Sequence, residues 1–464
     1  MIQLPPDEAA IEPGLAHTWH LSFLDAPTEP VRRRPASYNQ TVHLGAAWSA
    51  HTANRQAGFA IACSFDLPGP VHLPALEGAL LHLAHRHEVL RTRCRPTPWG
   101  ISVHVHEQQD TRLEHIETRH LASLAATRGH LHQLLRRVNP VTGPLVAMGA
   151  VVRANSTTVH IVYDHLVADV LSAPITVADL TRAYEDLIQG RQPAPTPASS
   201  FWDFAHAERA YNRTLHAHDE RLDHWRDFTA RSAEPLPAFP LDLGVRPGHP
   251  YPSANRTHHL LPDRTTHHVE SACRASGGTL LAGLLAATAT ATAVRDEGGP
   301  DTYRALMPLN RRGPDRYAHS IGWFVNAVPI EIPAPRQATL ATLIAGACKG
   351  YEAGRGQADV HSTRALQLLG HTNDTTTDHH PLAFFSYLDF RTASGSEHPS
   401  TRTARVHLWS PASNANFFWF HRNHTGLRLN TLHADTPRAQ RTVDSLIQGI
   451  TRTLRAFAGE SGLG

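Results

Sequence analysis

His160 to Leu180 reads HIVYDHLVADVLSAPITVADL. An apolar stretch, Ile161 to Tyr163, runs into Asp164-His165, with Asp169 and then Ser172 following. Past this polar knot the period changes. Ile175, Ala178 and Thr181, with Leu180, Tyr184, Leu187 and Ile188, recur at three and four, the stripe of a helix with one apolar face. The charged groups therefore stand where a buried strand ends and a helix begins. In an α/β protein that junction presents polar side chains in a cleft while packed elements hold them still.

The surrounding chain is globular in composition, with 41% hydrophobic and 18% charged residues among 464. That length predicts two or three domains. The 43 basic and 41 acidic residues leave a formal charge of +2, which implies neither a nucleic-acid nor a membrane partner. Cys63, Cys94, Cys273 and Cys348 form no CxxC pair, so neither a zinc site nor a disulfide framework is expected. MIQLPPDEAAIEPG at the N-terminus lacks the features of a signal peptide, and no apolar run approaches the ~18 residues of a membrane span. A soluble, cytoplasmic chain is expected.

Along the chain, Trp19 to Leu24 reads as a strand and Arg32-Arg33-Arg34-Pro35 as a basic, solvated turn. Leu76, Leu80, Leu83 and Leu90 draw a helical stripe from Leu73 to Leu90, and Ile101 to His106 alternates as a strand. Leu121 to Val138 is a second amphipathic helix, stopped by Asn139-Pro140. Leu145 to Ala154 and Thr158 to Tyr163 then form a hairpin that delivers the polar knot. The Pro- and Ser-containing RQPAPTPASS after Gly190 marks a domain boundary. Beyond it the pattern predicts a long helix from Phe201 to Thr229, a helix from Thr279 to Ala293, several strands between Tyr303 and Leu432, and a last helix from Arg438 to Phe457. Strands and helices alternate without a regular βαβ beat, and no GxGxxG or GxxxxGK[ST] is present.

A His followed four residues on by an Asp admits three readings. The imidazole takes or orients the proton of an attacking amine or hydroxyl while the Asp shapes the loop. Alternatively, the Asp pairs with a distant Arg and the His only satisfies a backbone carbonyl. Metal binding is the third reading, but no completing ligand stands at a usual spacing, and the pairs His258-His259, His267-His268 and His379-His380 are expected by chance among 35 His.

A core motif and five further segments in order resemble one family. Asp164 to Ser172 is similar to the HHxxxDGxS core motif of the condensation domains of nonribosomal peptide synthetases, members of the chloramphenicol-acetyltransferase-like acyltransferases. Ser37 to Gln40 resembles their early S-x-x-Q element, and Arg86 to Thr92 their RHExLRT. Gly143-Pro144-Leu145 resembles the GPL strand, and Asp203-Phe204-Ala205 with His224-Trp225-Arg226 the bridging helix. Arg311, Ile321 to Asn326 and Pro329 resemble the R…IGxFxNxxP segment.

The resemblance implies an α/β fold of the α+β sandwich type: two chloramphenicol-acetyltransferase-like lobes, 1–195 carrying the motif and 196–464 closing a channel, set as a V-shaped pseudo-dimer. Such a chain supplies its own interface, so a monomer is expected. No cofactor is bound. The donor acyl group arrives on the phosphopantetheine of an acyl or peptidyl carrier protein in trans, and a small-molecule or carrier-bound amine or alcohol enters from the other face. His165 matches the His assigned to the chemistry, and Asp169 matches the structural Asp, with Arg311 its expected ion-pair partner. Backbone amides near Val170 would face the developing oxyanion. Trp323, Asn326, Ser386, Tyr387, Asn414 and Asn416 are candidate channel-lining residues, with ordinary packing the competing reading for each.

Two positions depart from the family. Asp164 replaces the first His, a scaffold position that a carboxylate can fill by accepting backbone hydrogen bonds, and Val170 replaces the Gly. Asp164, Asp169 and Ser172 also fit the DxxxxDxxS of heterocyclising members. The late DFGWG element is not recognisable, with Val406 to Phe420 in its place. Nothing reads as an adenylation, carrier or thioesterase module, so a free-standing enzyme is expected. Three functions stay open: amide or ester formation from a carrier-bound donor, a non-catalytic module that recruits carrier proteins or tailoring enzymes, and heterocyclisation.

Overall fold

The computed structural model describes residues 1–24, 35–55, 58–97, 100–194, 198–231, 234–246, 249, 251–293, 301–335, 337–371 and 382–459. The basic turn Arg32 to Arg34 and the pair His379-His380 lie outside these residues. The chain divides into two compact units that alternate along the sequence. One comprises 1–210, 310–325 and 390–411, and the other 211–309, 326–389 and 412–464. This corrects the single cut near 195. Two late segments belong with the first unit: a strand from the 390–411 stretch joins its sheet, and 310–325 bonds to the loop of Asp169.

In the first unit a seven-stranded sheet runs in the order Ile2–Gln3, Arg405–Trp409, Ala60–Pro68, Ser156–Asp164, Val146–Val152, Gly14–Phe23, Thr111–Leu121. Ser156–Asp164 lies at its centre, antiparallel to both neighbours. Thr157 to Asp164 are all buried, which is why the strand reads as a near-continuous apolar run instead of alternating. Leu131, Leu134 and Leu135 of the helix Leu124–Arg137 share a core with Ala147, Val151 and Val162. The helices Leu73–Arg86 and Ser172–Ile188 pack on each other, so closely that a β-carbon on Gly78 would stand 2.9 Å from Leu187. Tyr163 ties the strand to the second of these through a 2.9 Å hydroxyl contact with Thr176. The hairpin Thr92–Thr97 with Gly100–Val105 forms a separate two-stranded sheet.

The second unit holds a six-stranded sheet ordered Val325–Pro333, Thr302–Asn310, Ala383–Asp389, Asn416–Asn423, Gly426–Ala434, Ser253–Pro262. Val269, Leu284, Leu285, Ile344, Leu446 and Ile450, from four helices, bury against its Val328, Ile330, Phe385, Phe420 and Leu429.

The predicted hairpin, the helix after the polar knot and the last helix are present, the last as Pro437–Phe457. The predicted long helix is two, Phe201–Arg213 and Asp223–Ala230. Between them the Thr214 hydroxyl donates to the Tyr211 carbonyl and the Asp219 carboxylate accepts from the Arg221 amide. Short polar side chains thus take backbone partners that a continuous helix would use. The pattern missed the helix Tyr38–Thr52, whose buried face, Tyr38, Gln40, Leu44, Ala47 and Ala50, holds a polar residue and two alanines and so gives only a weak apolar stripe. It also missed the strands Ala60–Pro68, Thr111–Leu121 and Ser253–Pro262. Among the described residues no helix is long and apolar enough to cross a membrane.

Candidate active site

The strand Ser156–Asp164 ends by handing its last residues to backbone partners. The Asp164 amide donates to the Leu145 carbonyl at 2.9 Å and the His165 amide to the Phe59 carbonyl at 2.8 Å. Leu166, Val167 and Ala168 then turn inward and are fully buried, which anchors a short loop that has polar residues at both ends. Asp164 Oδ1 accepts the Leu166 amide at 2.9 Å, the backbone role expected of a carboxylate replacing the family's first His.

His165 is held on several sides. Its Nδ1 lies 2.7 Å from the Ala168 carbonyl oxygen, and an oxygen of that kind only accepts, so Nδ1 carries the hydrogen and the lone pair of the neutral ring is on Nε2. Trp323 stacks on its face at 3.9 Å between centroids and 22° between planes, and the Phe59 ring lies 5.2 Å away. As a whole residue His165 is half-buried. Loss of solvation by burial, with the neighbouring His43 adding to it, pushes its pKa down to about 4 against the weaker upward pull of the Ala168 carbonyl, Asp169 and Asp164. The imidazole is therefore uncharged at neutral pH.

Asp169 pairs with Arg312, not with Arg311 as the sequence reading had it. Arg312 Nη1 and Nη2 donate to Asp169 Oδ2 and Oδ1, both at 2.7 Å. Further donors complete the shell of the pair. Ser172 donates its amide and hydroxyl to Oδ1 at 3.0 Å each, the Phe324 amide donates to Oδ2 at 3.0 Å, and Arg312 also donates to Ser172 Oγ and the carbonyls of Ser320 and Gly322. The Arg311 amide donates to the Phe324 carbonyl, and its guanidinium acts on the Glu208 carboxyl. Next to Asp169, the Val170 amide has no acceptor among the described residues.

RHEVLRT acquires a physical meaning here. Arg86 and His87 both reach Asp179 on the helix Ser172–Ile188, at 2.9 and 2.8 Å, and His87 Nδ1 accepts the Ile321 amide at 3.3 Å. The motif helix and the 321–324 segment are thereby fixed to one point.

Sequence reasoning missed His43. Ser37 and Gln40 form a capping box at the start of the helix Tyr38–Thr52. Gln40 Nε2 then donates to the Leu166 carbonyl at 2.9 Å, and one turn on His43 Nε2 lies 2.8 Å from Asp164 Oδ1. The S-x-x-Q box with a His three residues later, on the same helix face, was the available signal.

The other channel candidates belong to the second unit, and most are occupied locally. Asn326 donates to the Ala358 and Val360 carbonyls and accepts from the Ser362 amide. Asn414 accepts from the Tyr251 amide and donates to the His249 carbonyl. Ser386 is buried on the strand Ala383–Asp389, and Tyr387 packs against that unit's core. Asn416 is fully buried with neither amide atom bonded. Among the described residues no three His, Cys, Asp or Glu side chains converge as a metal site.

A pocket of about 700 Å³ lies in the first unit, and none of residues 164–172 lines it. Leu145, which accepts the Asp164 amide, lines it with Cys94, Trp19, Phe23, Leu90 and Val146. Burial first, and then Asp164, raise the Cys94 thiol to about 12, so it is an uncharged wall group and not a nucleophile.

Comparison with known proteins places this geometry. The model of the condensation domain family matches residues 47–372. Acyltransferase PapA3 of Mycobacterium tuberculosis is 23% identical over 367 residues, 78% of this chain and 76% of that protein. The 2'-acyl-2-O-sulfo-trehalose (hydroxy)phthioceranyltransferase PapA1 of Mycobacterium bovis is 26% identical over 331 residues, 69% of this chain and 62% of that protein. Among solved structures the fold is shared with PapA2 acyl transferase, at a TM-score of 0.86 and 20% identity over the whole of both chains. The X-domain from teicoplanin biosynthesis shares it at a TM-score of 0.73 and 18% identity, over 95% of this chain and 98% of that one.

Proposed function

The chain belongs to the condensation domain family, and from that premise we propose that it is an acyltransferase joining an acyl or aminoacyl group, carried as a phosphopantetheine thioester on a carrier protein, to an amine or alcohol. The observation that carries this reading is the state of His165: neutral, its Nδ1 hydrogen on the Ala168 carbonyl and its Nε2 lone pair uncommitted.

The chemistry follows from that state. The N–H or O–H of the nucleophile donates to Nε2, which orients its own lone pair on the thioester carbonyl carbon. A group this reluctant to be charged takes the proton only as the new bond forms. Negative charge then develops on the carbonyl oxygen, for which the Val170 amide is the available donor. Collapse breaks the carbon–sulfur bond, and the departing thiolate takes the proton back from Nε2. Asp169 and Arg312 touch no reacting atom in this scheme and hold the loop that presents His165.

The test is intact-mass spectrometry of acyl-loaded carrier proteins offered with amines and alcohols. Loss of the acyl mass with matching amide or ester, abolished in His165→Ala while circular dichroism is unchanged, is the expected result. Carrier binding that survives His165→Ala, with no turnover by the parent, would establish a recruitment module instead. A product lighter by one further water would mean heterocyclisation.

A further inference from the structure

Asp164 and His165 are chain neighbours, so a carboxylate stands beside the proposed base. Left to itself, a carboxylate in that place favours the imidazolium, the form that cannot accept a proton. Asp164 is 1% exposed. Its Oδ1 is taken by His43 Nε2 at 2.8 Å and the Leu166 amide at 2.9 Å, whereas its buried Oδ2 has no hydrogen-bond partner among the described residues. The His43 ring meets His165 at 6.4 Å and 63°, and Trp323 at 5.7 Å and 85°, so it braces both members of the stack while it bonds the carboxylate.

We propose that His43 is a positioning residue: its hydrogen bond engages the Asp164 carboxylate and its edge abuts the Trp323–His165 stack, so that His165 stays uncharged with Nε2 available. The replacement of the family's first His by Asp164 is thereby matched by a histidine supplied from the helix Tyr38–Thr52. The charged neighbours of His165 pull in opposite senses: His43 disfavours its charged form, while Asp164 and Asp169 favour it. Removing His43 deletes the first influence and leaves the carboxylates opposed by burial alone.

This rests on the acyl-transfer reading for the role of His165 as base, but the test needs no substrate. Diethyl pyrocarbonate carbethoxylates only unprotonated imidazole, and peptide mass spectrometry reads the rate at His165 between pH 7.5 and 5. In the parent the intrinsic rate at His165 should stay flat over that range. In His43→Leu the titration should move up by about one unit, so that the rate at pH 5 falls to roughly half that of the parent. The double variant His43→Leu/Asp164→Asn should return it to the parent profile. His43→Gln keeps an N–H for Asp164 without a charge and should shift the profile in the same direction by less. It also serves if the leucine variant fails to fold by circular dichroism. An unmoved profile in a folded single variant, or a shift that persists in the double variant, overturns the proposal. Either result leaves the acyl-transfer assay free to succeed or fail by itself.

Discussion

Arg312 grips Asp169 through two parallel hydrogen bonds of 2.7 Å, with the two side chains 3% and 4% exposed. Every remaining acceptor of Asp169 is filled by Ser172 or Phe324, so this is a saturated buried pair, the arrangement in which deleting one member strands a charge. Asp169→Ala and Arg312→Ala should each lose roughly 3–5 kcal/mol in urea denaturation. Arg312→Lys should also be destabilised, because an ammonium cannot reproduce the fork. Arg311→Ala should cost clearly less than Arg312→Ala, and the reverse order would contradict the pairing.

Gly322 lies between the rings of Phe201 and Phe324. A β-carbon there would come to 2.6 Å from Phe201 and 2.7 Å from Phe324, and the Gly322 carbonyl already receives Arg312 and Ser172. Gly322→Ala should therefore destabilise by about 1–3 kcal/mol, the range of overpacked cores. A thermal or urea midpoint equal to the parent's would show that the rings yield.

Glu208 accepts the Tyr38 amide at 3.0 Å at the start of the helix that carries His43. Burial pushes its pKa up to about 7, against the opposing pull of that amide, Arg209 and Arg311. A carboxyl raised in the folded state contributes stability that is complete below its unfolded value near 4.5 and is lost as pH rises through about 7. Glu208→Gln should accordingly exceed the parent in stability at pH 8, by on the order of 1–3 kcal/mol, and lose that advantage near pH 4.5. Denaturation at the two pH values checks the sign.

Acid should act on buried histidines in the opposite sense. Burial lowers His165, His130 and His407 to about 4 and His421 to about 3. Each contributes stability present above its unfolded value of 6.5 and lost as pH falls toward its folded one, because the unfolded chain binds the proton first. Urea stability should fall from about pH 6.5 downward, by about 1.4 kcal/mol per pH unit for each fully titrating histidine. His130→Gln should flatten the slope, and an unchanged slope would count against this account.

The local pattern of the chain determined the junction at residues 160–180. A run of β-branched residues buried on both faces, a change of period from strand to helix and the polar residues between them are all properties of neighbours, and they brought His165 and Asp169 into view. The motif segments did the same for the family, since each is a short run of residues legible by itself, such as the S-x-x-Q cap.

Only the tertiary structure decided which partners those residues meet. Arg311 and Arg312 are adjacent and chemically alike, so which of them meets Asp169, 143 positions away, depends on how two remote loops pack and not on a local pattern. His43 reaches Asp164 from 121 positions away along the chain, and Arg405–Trp409 enters the first unit's sheet beside Ala60–Pro68. Such pairings are set by packing and hydrogen-bond satisfaction among groups remote in sequence, which no local period records.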